Sequence, residues 1–239
     1  MQALVFQAPW RLTVEDVPDP DAADGDVLLE VLATGICGSD LHGYTGESGR
    51  RQPGQVMGHE SVARVLTDRS GTYPPGCLVT VNPVIGCGVC DACRAGRTQR
   101  CGRRVIVGVA PDVVSAFAQR MTVPAGNVVA LASEAPEEIG ALVEPLAVGY
   151  HAARRGAVGP GTAVLVIGGG PIGQAAALAA RRLGAAGILV SEPDEFRRGK
   201  LAALGIAAVD PTRTPADQIL GLLGGSADVV IDAVGTSET

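Results

Sequence analysis

The chain has 239 residues, 19 basic and 25 acidic side chains for a formal charge of −6, and 46% apolar but only 3% aromatic content. That length sets one or two domains around a core of Val, Leu, Ile and Ala, and mild acidity without long like-charge runs excludes nucleic acid as the expected partner. Residues 156–180 carry no charge, but their seven Gly and two Pro fit a strand, a turn and a buried helix, so no membrane association is expected.

Up to residue 150 the chain reads as short β runs at 28–33, 61–66, 78–81, 104–109 and 116–123, parted by Gly- and Pro-rich turns. This predicts a small irregular barrel-like domain. Within it, Gly35-Ile36-Cys37-Gly38-Ser39-Asp40-Leu41-His42 crowds a thiol, a hydroxyl, a carboxylate and an imidazole together, and Gly58-His59-Glu60 adds a second dense polar step. Cysteine and imidazole are natural zinc ligands, and a carboxylate can complete a catalytic site. Taken singly, either histidine is more often a surface or hydrogen-bonded residue than a ligand. Two of the chain's three His fall in these clusters, which favours ligation. Further on, Leu142-Val143-Glu144-Pro145-Leu146 sets an acid among apolar residues, where an unpaired charge is costly and a metal or bound water is an attractive partner.

Cys87, Cys90, Cys93 and Cys101 put four thiols within fifteen residues, in a turn-rich setting that includes Gly86, Gly88, Gly96 and Gly102. Four soft ligands this close can wrap one tetrahedral zinc with no place left for a substrate, which makes a structural site. An iron–sulfur run has the same first spacings, but its fourth Cys follows after three residues and precedes a Pro; here the gap is seven and Gly102 follows. Disulfides need an oxidising compartment. No secretory leader is expected, since residues 1–30 carry charges from Arg11 onward without a clean apolar core, and a cytoplasmic location follows. Cys77 stands outside the spacing and reads as a small core residue.

After residue 150 strands and helices alternate: strand 163–167, helix 172–183, strand 188–191, helix 195–204, strand 207–209, helix 214–223, strand 228–234. Alternation of this kind means a parallel sheet in an α/β fold. Its first turn, Gly168-Gly169-Gly170-Pro171-Ile172-Gly173, has the G-x-G-x-x-G form: Gly168 for the tight turn, Gly170 for approach to a pyrophosphate, Gly173 for close packing of helix on strand. Glu192 comes nineteen residues after Gly173, at the end of the next strand, where a carboxylate can bind both ribose hydroxyls of NAD and repel a 2′-phosphate. Arg197 lies near enough to accommodate that phosphate, so NADP stays open while NAD is favoured.

Taken together, G-I-C-G-S-D, G-H-E, the four-cysteine lobe, V-E-P, G-G-G-P-I-G and D-V-V-I-D-A-V-G resemble zinc-dependent medium-chain alcohol dehydrogenases, in the branch with sorbitol, threonine and butanediol dehydrogenases. The resemblance covers nearly the whole chain. It implies a GroES-like β-barrel domain over 1–150, with a zinc lobe at about 86–102, and a partial Rossmann domain, a doubly wound parallel sheet, over 151–239. It implies Cys37 and His59 as fixed ligands of a catalytic zinc, Glu60 and Glu144 sharing the remaining protein position with water, and Asp40 orienting His59. Ser39 resembles the hydroxyl that takes the substrate proton, His42 the relay that carries it to solvent, and Tyr44 a residue facing the substrate. Cys87, Cys90, Cys93 and Cys101 match the structural zinc lobe. Glu144 stands where the Cys2His alcohol dehydrogenase site has its second Cys. The implied activity is hydride transfer between an alcohol, polyol or diol and a nicotinamide cofactor. The resemblance also implies that strands five and six and a returning C-terminal segment are missing, which makes a truncated, catalytically impaired zinc-binding relative the alternative. The same analogy leaves a homo-oligomer open without fixing the oligomeric state, since family dimers commonly pair through the absent strands.

Overall fold

Strand formation begins earlier than the sequence pattern predicts. Gln2–Ala8 (β1) and Arg11–Asp16 (β2) form an antiparallel hairpin, and β1 also pairs with Gln55–Val56 (β4). The hairpin turn places Trp10 at φ +65°, a conformation unusual for a bulky residue. A second, five-stranded antiparallel sheet runs in the order β10-β6-β5-β3-β9. Its strands are Asp26–Gly35 (β3), Glu60–Asp68 (β5), Leu78–Val81 (β6), Arg120–Pro124 (β9) and Val128–Ala130 (β10). Alternate residues Val27 and Leu29 of β3 turn inward onto Ala63, Val65, Val79 and Met121, as the two-residue side-chain period requires. Helix α1, Gly38–Thr45, follows β3.

Two expected strands are shorter than the apolar runs that suggested them. Of 104–109 only Val105–Ile106 (β8) pairs, with Val84–Ile85 (β7), because the chain then turns and Gly108 N–H donates to Ser115 Oγ at 2.7 Å. Of 116–123 only the part from Arg120 joins the large sheet. The residues before it cross to the first sheet instead, with Leu4 N–H donating to Phe117 O at 2.7 Å. Short helices Asp91–Arg94 (α2) and Glu137–Gly140 (α3) complete this part.

The structure is a computed structural model describing residues 1–236, and the chain divides into two units, Met1–Glu144 and a second from Pro145 onward. Helix α4 is Val143–Arg155. The alternation then follows the sequence closely: Ala163–Ile167 (β11), Pro171–Arg182 (α5), Gly187–Ser191 (β12), Glu195–Ala203 (α6), Ala207–Val209 (β13), Ala216–Leu222 (α7) and Val229–Asp232 (β14). The sheet is parallel throughout, in the order β13-β12-β11-β14, the first four strands of the doubly wound arrangement. Val164, Val166, Val190 and Ile231 are buried in it, and α5 lays Ala176, Ala177 and Ala180 into the same core. No helix among the described residues is long and apolar enough to cross a membrane.

Candidate active site and metal centres

Antiparallel pairing of β3 with β5 sets Gly35 opposite Glu60. Two residues beyond Gly35, Cys37 precedes α1 as its N-cap, and its N–H donates to Asp40 Oδ2 at 3.1 Å. From the other side, β5 starts directly after Gly58 and His59. Gly58 has φ +94°, and a Cβ there would stand 2.8 Å from the Phe117 backbone nitrogen, so glycine is required on both counts. The outcome is that the ligand atoms of Cys37, His59 and Glu60 lie within 4.8 Å of one another.

The electrostatics of this cluster favour the charged, cation-binding form of its sulfur. A hydrogen bond with His59 holds the Cys37 thiol below its ordinary value, against the opposing effect of burial. Burial works to depress His59, but the Cys37 sulfur, Asp40 and Glu144 together keep it above its usual range. Burial raises Glu60, offset in part by His59. Glu144 is raised for the same first reason, and the Glu60 and Asp40 charges add to it. Its carboxylate acts on His59 through charge but is not among the atoms gathered within 4.8 Å. His59 Nδ1 is buried without a hydrogen-bond partner, 3.7 Å from Asp40 Oδ2; Asp40 thus faces the ring at ion-pair distance, longer than a hydrogen bond. A thiol, an imidazole and a carboxylate converging on one point, half-buried or buried, fit zinc.

The residues around the cluster separate into two directions. Ser39 is exposed and hydrogen-bonds the Cys37 sulfur. His42 is exposed, one turn along α1, with Nδ1 2.6 Å from Glu47 Oε2. Tyr44 instead donates from its hydroxyl to Trp10 O at 3.1 Å and packs edge-on against that indole. It lines a mainly apolar cavity of about 630 Å³ with Ile36, Leu41, Met57 and Phe117. Asp40 borders that cavity, whereas Cys37, His59 and Glu60 do not. Arg51, which the sequence motifs did not single out, has its side chain 3% exposed and 3.7 Å from Asp40 Oδ1; its one sequence signal is a charge pair, Arg50-Arg51, between the two motif clusters.

The sulfur atoms of Cys87, Cys90, Cys93 and Cys101 also gather within 4.8 Å, and all six cysteines are free thiols. Backbone N–H groups of Val89 and Cys90 lower Cys87 to about 5. Burial and neighbouring sulfurs push Cys93 up to about 11. Arg103 brackets the group, donating from its backbone N–H to Cys101 Sγ and from Nη2 to Cys87 Sγ, each at 3.3 Å. Four thiols in this arrangement fit a closed tetrahedral zinc site. Cys77 packs beside the core of the large sheet.

In the second unit Gly168 leaves β11 at φ +92°, and Gly170 and Pro171 open α5. A Cβ on Gly173 would overlap the Gly168 carbonyl oxygen, so helix and strand meet here only through glycine. Ile172 is half-buried beside it. The helix terminus offers the positive end of its dipole to an anion. Glu192 is 2% exposed and both its oxygens are engaged: Oε2 accepts Gly169 N–H at 2.5 Å and Oε1 accepts Asp194 N–H at 2.8 Å. Arg197 lies 3.8 Å from Glu192 Oε2 and is more than half exposed.

Residues 23–133 match the alcohol dehydrogenase GroES-like domain. L-galactonate-5-dehydrogenase of Escherichia coli K12 is 35% identical over 98% of this chain and 69% of its own length. Sorbitol dehydrogenase of Bacillus subtilis 168 is 35% identical over 82% of this chain and 57% of its own. Among solved structures, an Escherichia coli CFT073 alcohol dehydrogenase complexed with NADH superposes with a TM-score of 0.89 at 26% identity, covering 99% of this chain and 70% of that one. The chain therefore spans between just over half and about two thirds of the length of these curated relatives. Identity sustained over that span, together with the matched amino-terminal domain, places the chain in the zinc-dependent medium-chain alcohol dehydrogenase family.

Proposed function

We propose that the chain oxidises a secondary alcohol of the polyol or sugar-acid kind, with NAD as hydride acceptor. The observation that carries this reading is the convergence of Cys37, His59 and Glu60 at the ends of β3 and β5, in a chain related to polyol and sugar-acid dehydrogenases. Cys37, His59 and Glu60 would hold the catalytic zinc, with Glu144 as the nearby carboxylate that exchanges with water. Zinc bound there supplies Lewis acidity that makes an alcohol substrate easier to deprotonate near neutral pH. Ser39, exposed and beside the Cys37 sulfur, accepts the substrate proton. His42, exposed and hydrogen-bonded to Glu47, passes it to water. Cys87, Cys90, Cys93 and Cys101 hold a second, structural zinc.

The nucleotide is assigned to the Gly168–Gly173 turn, with its pyrophosphate at the N-terminus of α5. NAD is preferred over NADP because the buried Glu192 carboxylate lies beside the turn and repels a 2′-phosphate. Reduction of NAD by a panel of polyols and aldonic acids tests the reading. Turnover should vanish in Cys37→Ala with loss of one zinc, and fall in Ser39→Ala with zinc retained. Equal zinc loss in both variants, or unchanged turnover in Cys37→Ala, would contradict it.

A further inference from the structure

Asp40 is 2% exposed, and its two oxygens meet different groups. Oδ2 accepts the Cys37 N–H at 3.1 Å and stands 3.7 Å from His59 Nδ1. Oδ1 has no hydrogen-bond partner and faces Arg51 Nη2 at 3.7 Å. The Arg51 side chain is itself almost wholly buried, with Nε unpartnered and Nη2 donating to Ser39 O at 3.4 Å. It reaches this place by crossing α1 at Gly43, where a Cβ would come within 2.9 Å of Arg51 Cγ. A buried cation held against α1 at Gly43 is costly unless it answers a buried anion. Asp40 is that anion. Arg51 Nη2 is the cationic group that faces Asp40 Oδ1.

We infer that Arg51 is a positioning residue of the Cys37–His59–Glu60 centre: it anchors Asp40 from behind, and Asp40 in turn fixes the Cys37 backbone and the His59 ring. This rests on the reading of that centre as a metal site. Groups behind metal ligands set ligand orientation, and their loss weakens binding by about tenfold or more. Gly43 belongs to the same device, since it supplies the passage for the Arg51 side chain.

The test is cobalt(II) binding to the apo chain, followed by the thiolate-to-cobalt absorption and by chelator competition, with the four-cysteine lobe as internal reference. Arg51→Met should weaken cobalt at the Cys37 centre about tenfold and alter its absorption, while the lobe keeps wild-type affinity. Arg51→Lys, which keeps the charge but not the fork, should recover part of the loss. Arg51→Met combined with Asp40→Asn should be no weaker than Asp40→Asn alone, because both act through one carboxylate. Wild-type affinity and spectrum in Arg51→Met, or losses that add in the double variant, overturn the inference. If Arg51→Met does not fold, Arg51→Lys decides, and an unchanged spectrum and affinity there overturns it. A wild-type chain that binds cobalt only at the lobe refutes the functional reading and this inference together.

Discussion

Gly35 and Glu60 face each other across β3 and β5, and the Glu60 carboxylate occupies the space a side chain on Gly35 would fill. A Cβ at residue 35 would overlap Glu60 Oε2 and stand 3.1 Å from Glu60 Cβ. The overlapping atom is the tip of a flexible side chain, so the carboxylate moves before the backbone does. Gly35→Ala is expected to weaken metal binding at the Cys37 centre more than it lowers fold stability, which overpacking of this kind typically reduces by about 1–3 kcal/mol. Chelator competition and urea denaturation on the same variant separate the two effects. A large stability loss with metal affinity intact would show that the sheet, not the carboxylate, gives way.

Two metal centres of different construction should release their ions at different rates. Four thiols gathered in the lobe would close the coordination sphere of an ion, whereas Cys37, His59 and Glu60 would supply three donors and leave a position for water or substrate. Elemental analysis of the native protein is expected to give about two zinc per chain. A chelator should remove the Cys37-centre ion first, taking activity with it while the circular dichroism of the fold persists. Iron with acid-labile sulfide would refute the assignment of the lobe.

The parallel half of the fold was readable almost residue for residue, because buried strands and a small-residue helix repeat there with little interruption, as in Ala163–Ile167 and Pro171–Arg182. The first hairpin was not. Its turn contains Trp10 at positive φ rather than the Gly or Asn that normally marks one. The apolar run 104–109 misled for the opposite reason: β-forming residues end at a turn that Ser115 fixes from outside the run. At the candidate site, residue types and spacing singled out Cys37, His59 and Glu60, whose ligand atoms the fold brings within 4.8 Å of one another. Arg51 was hidden, since its place depends on a gap at Gly43 that becomes meaningful only once α1 is built. The double engagement of Glu192 with Gly169 and Asp194 is equally a property of the folded turn.

Asp68 gives a pH test of the fold outside the site. Its carboxylate accepts backbone N–H bonds from Ser70, Thr72 and Tyr73 at 2.7, 2.6 and 2.6 Å. Partial loss of water raises its pKa, but these donors outweigh that and bring it down to about 2 from 3.8. A folded-state value below the unfolded one means that the stabilisation is complete above about pH 4 and disappears as pH falls through about 2. Asp68→Asn should therefore be less stable than wild type at neutral pH, with urea midpoints converging between pH 4 and 2. A gap that does not narrow over that window would show that the charge is not what the loop uses.

The proposed reading gives Glu192 two tasks, which a pair of substitutions can separate. Its oxygens hold the Gly169 and Asp194 N–H groups, and in the proposed reading its charge would oppose a 2′-phosphate near the same turn. Glu192→Gln removes the charge and keeps one acceptor oxygen, so one of the Gly169 and Asp194 N–H groups retains its partner and the other meets a donor. It should narrow the preference for NAD over NADP and weaken NAD less than Glu192→Ala does. Glu192→Ala removes both functions and should weaken the two cofactors together, because the turn beneath them loses its anchors. Arg197, whose guanidinium lies 3.8 Å from Glu192 and is more than half exposed, is the group free to meet a 2′-phosphate, so Arg197→Ala should reduce NADP binding selectively. Affinities for both nucleotides, measured by titration across the three variants, give the answer. If the wild type already prefers NADP and Arg197→Ala reverses that preference, the arginine outweighs the carboxylate and the NAD assignment fails.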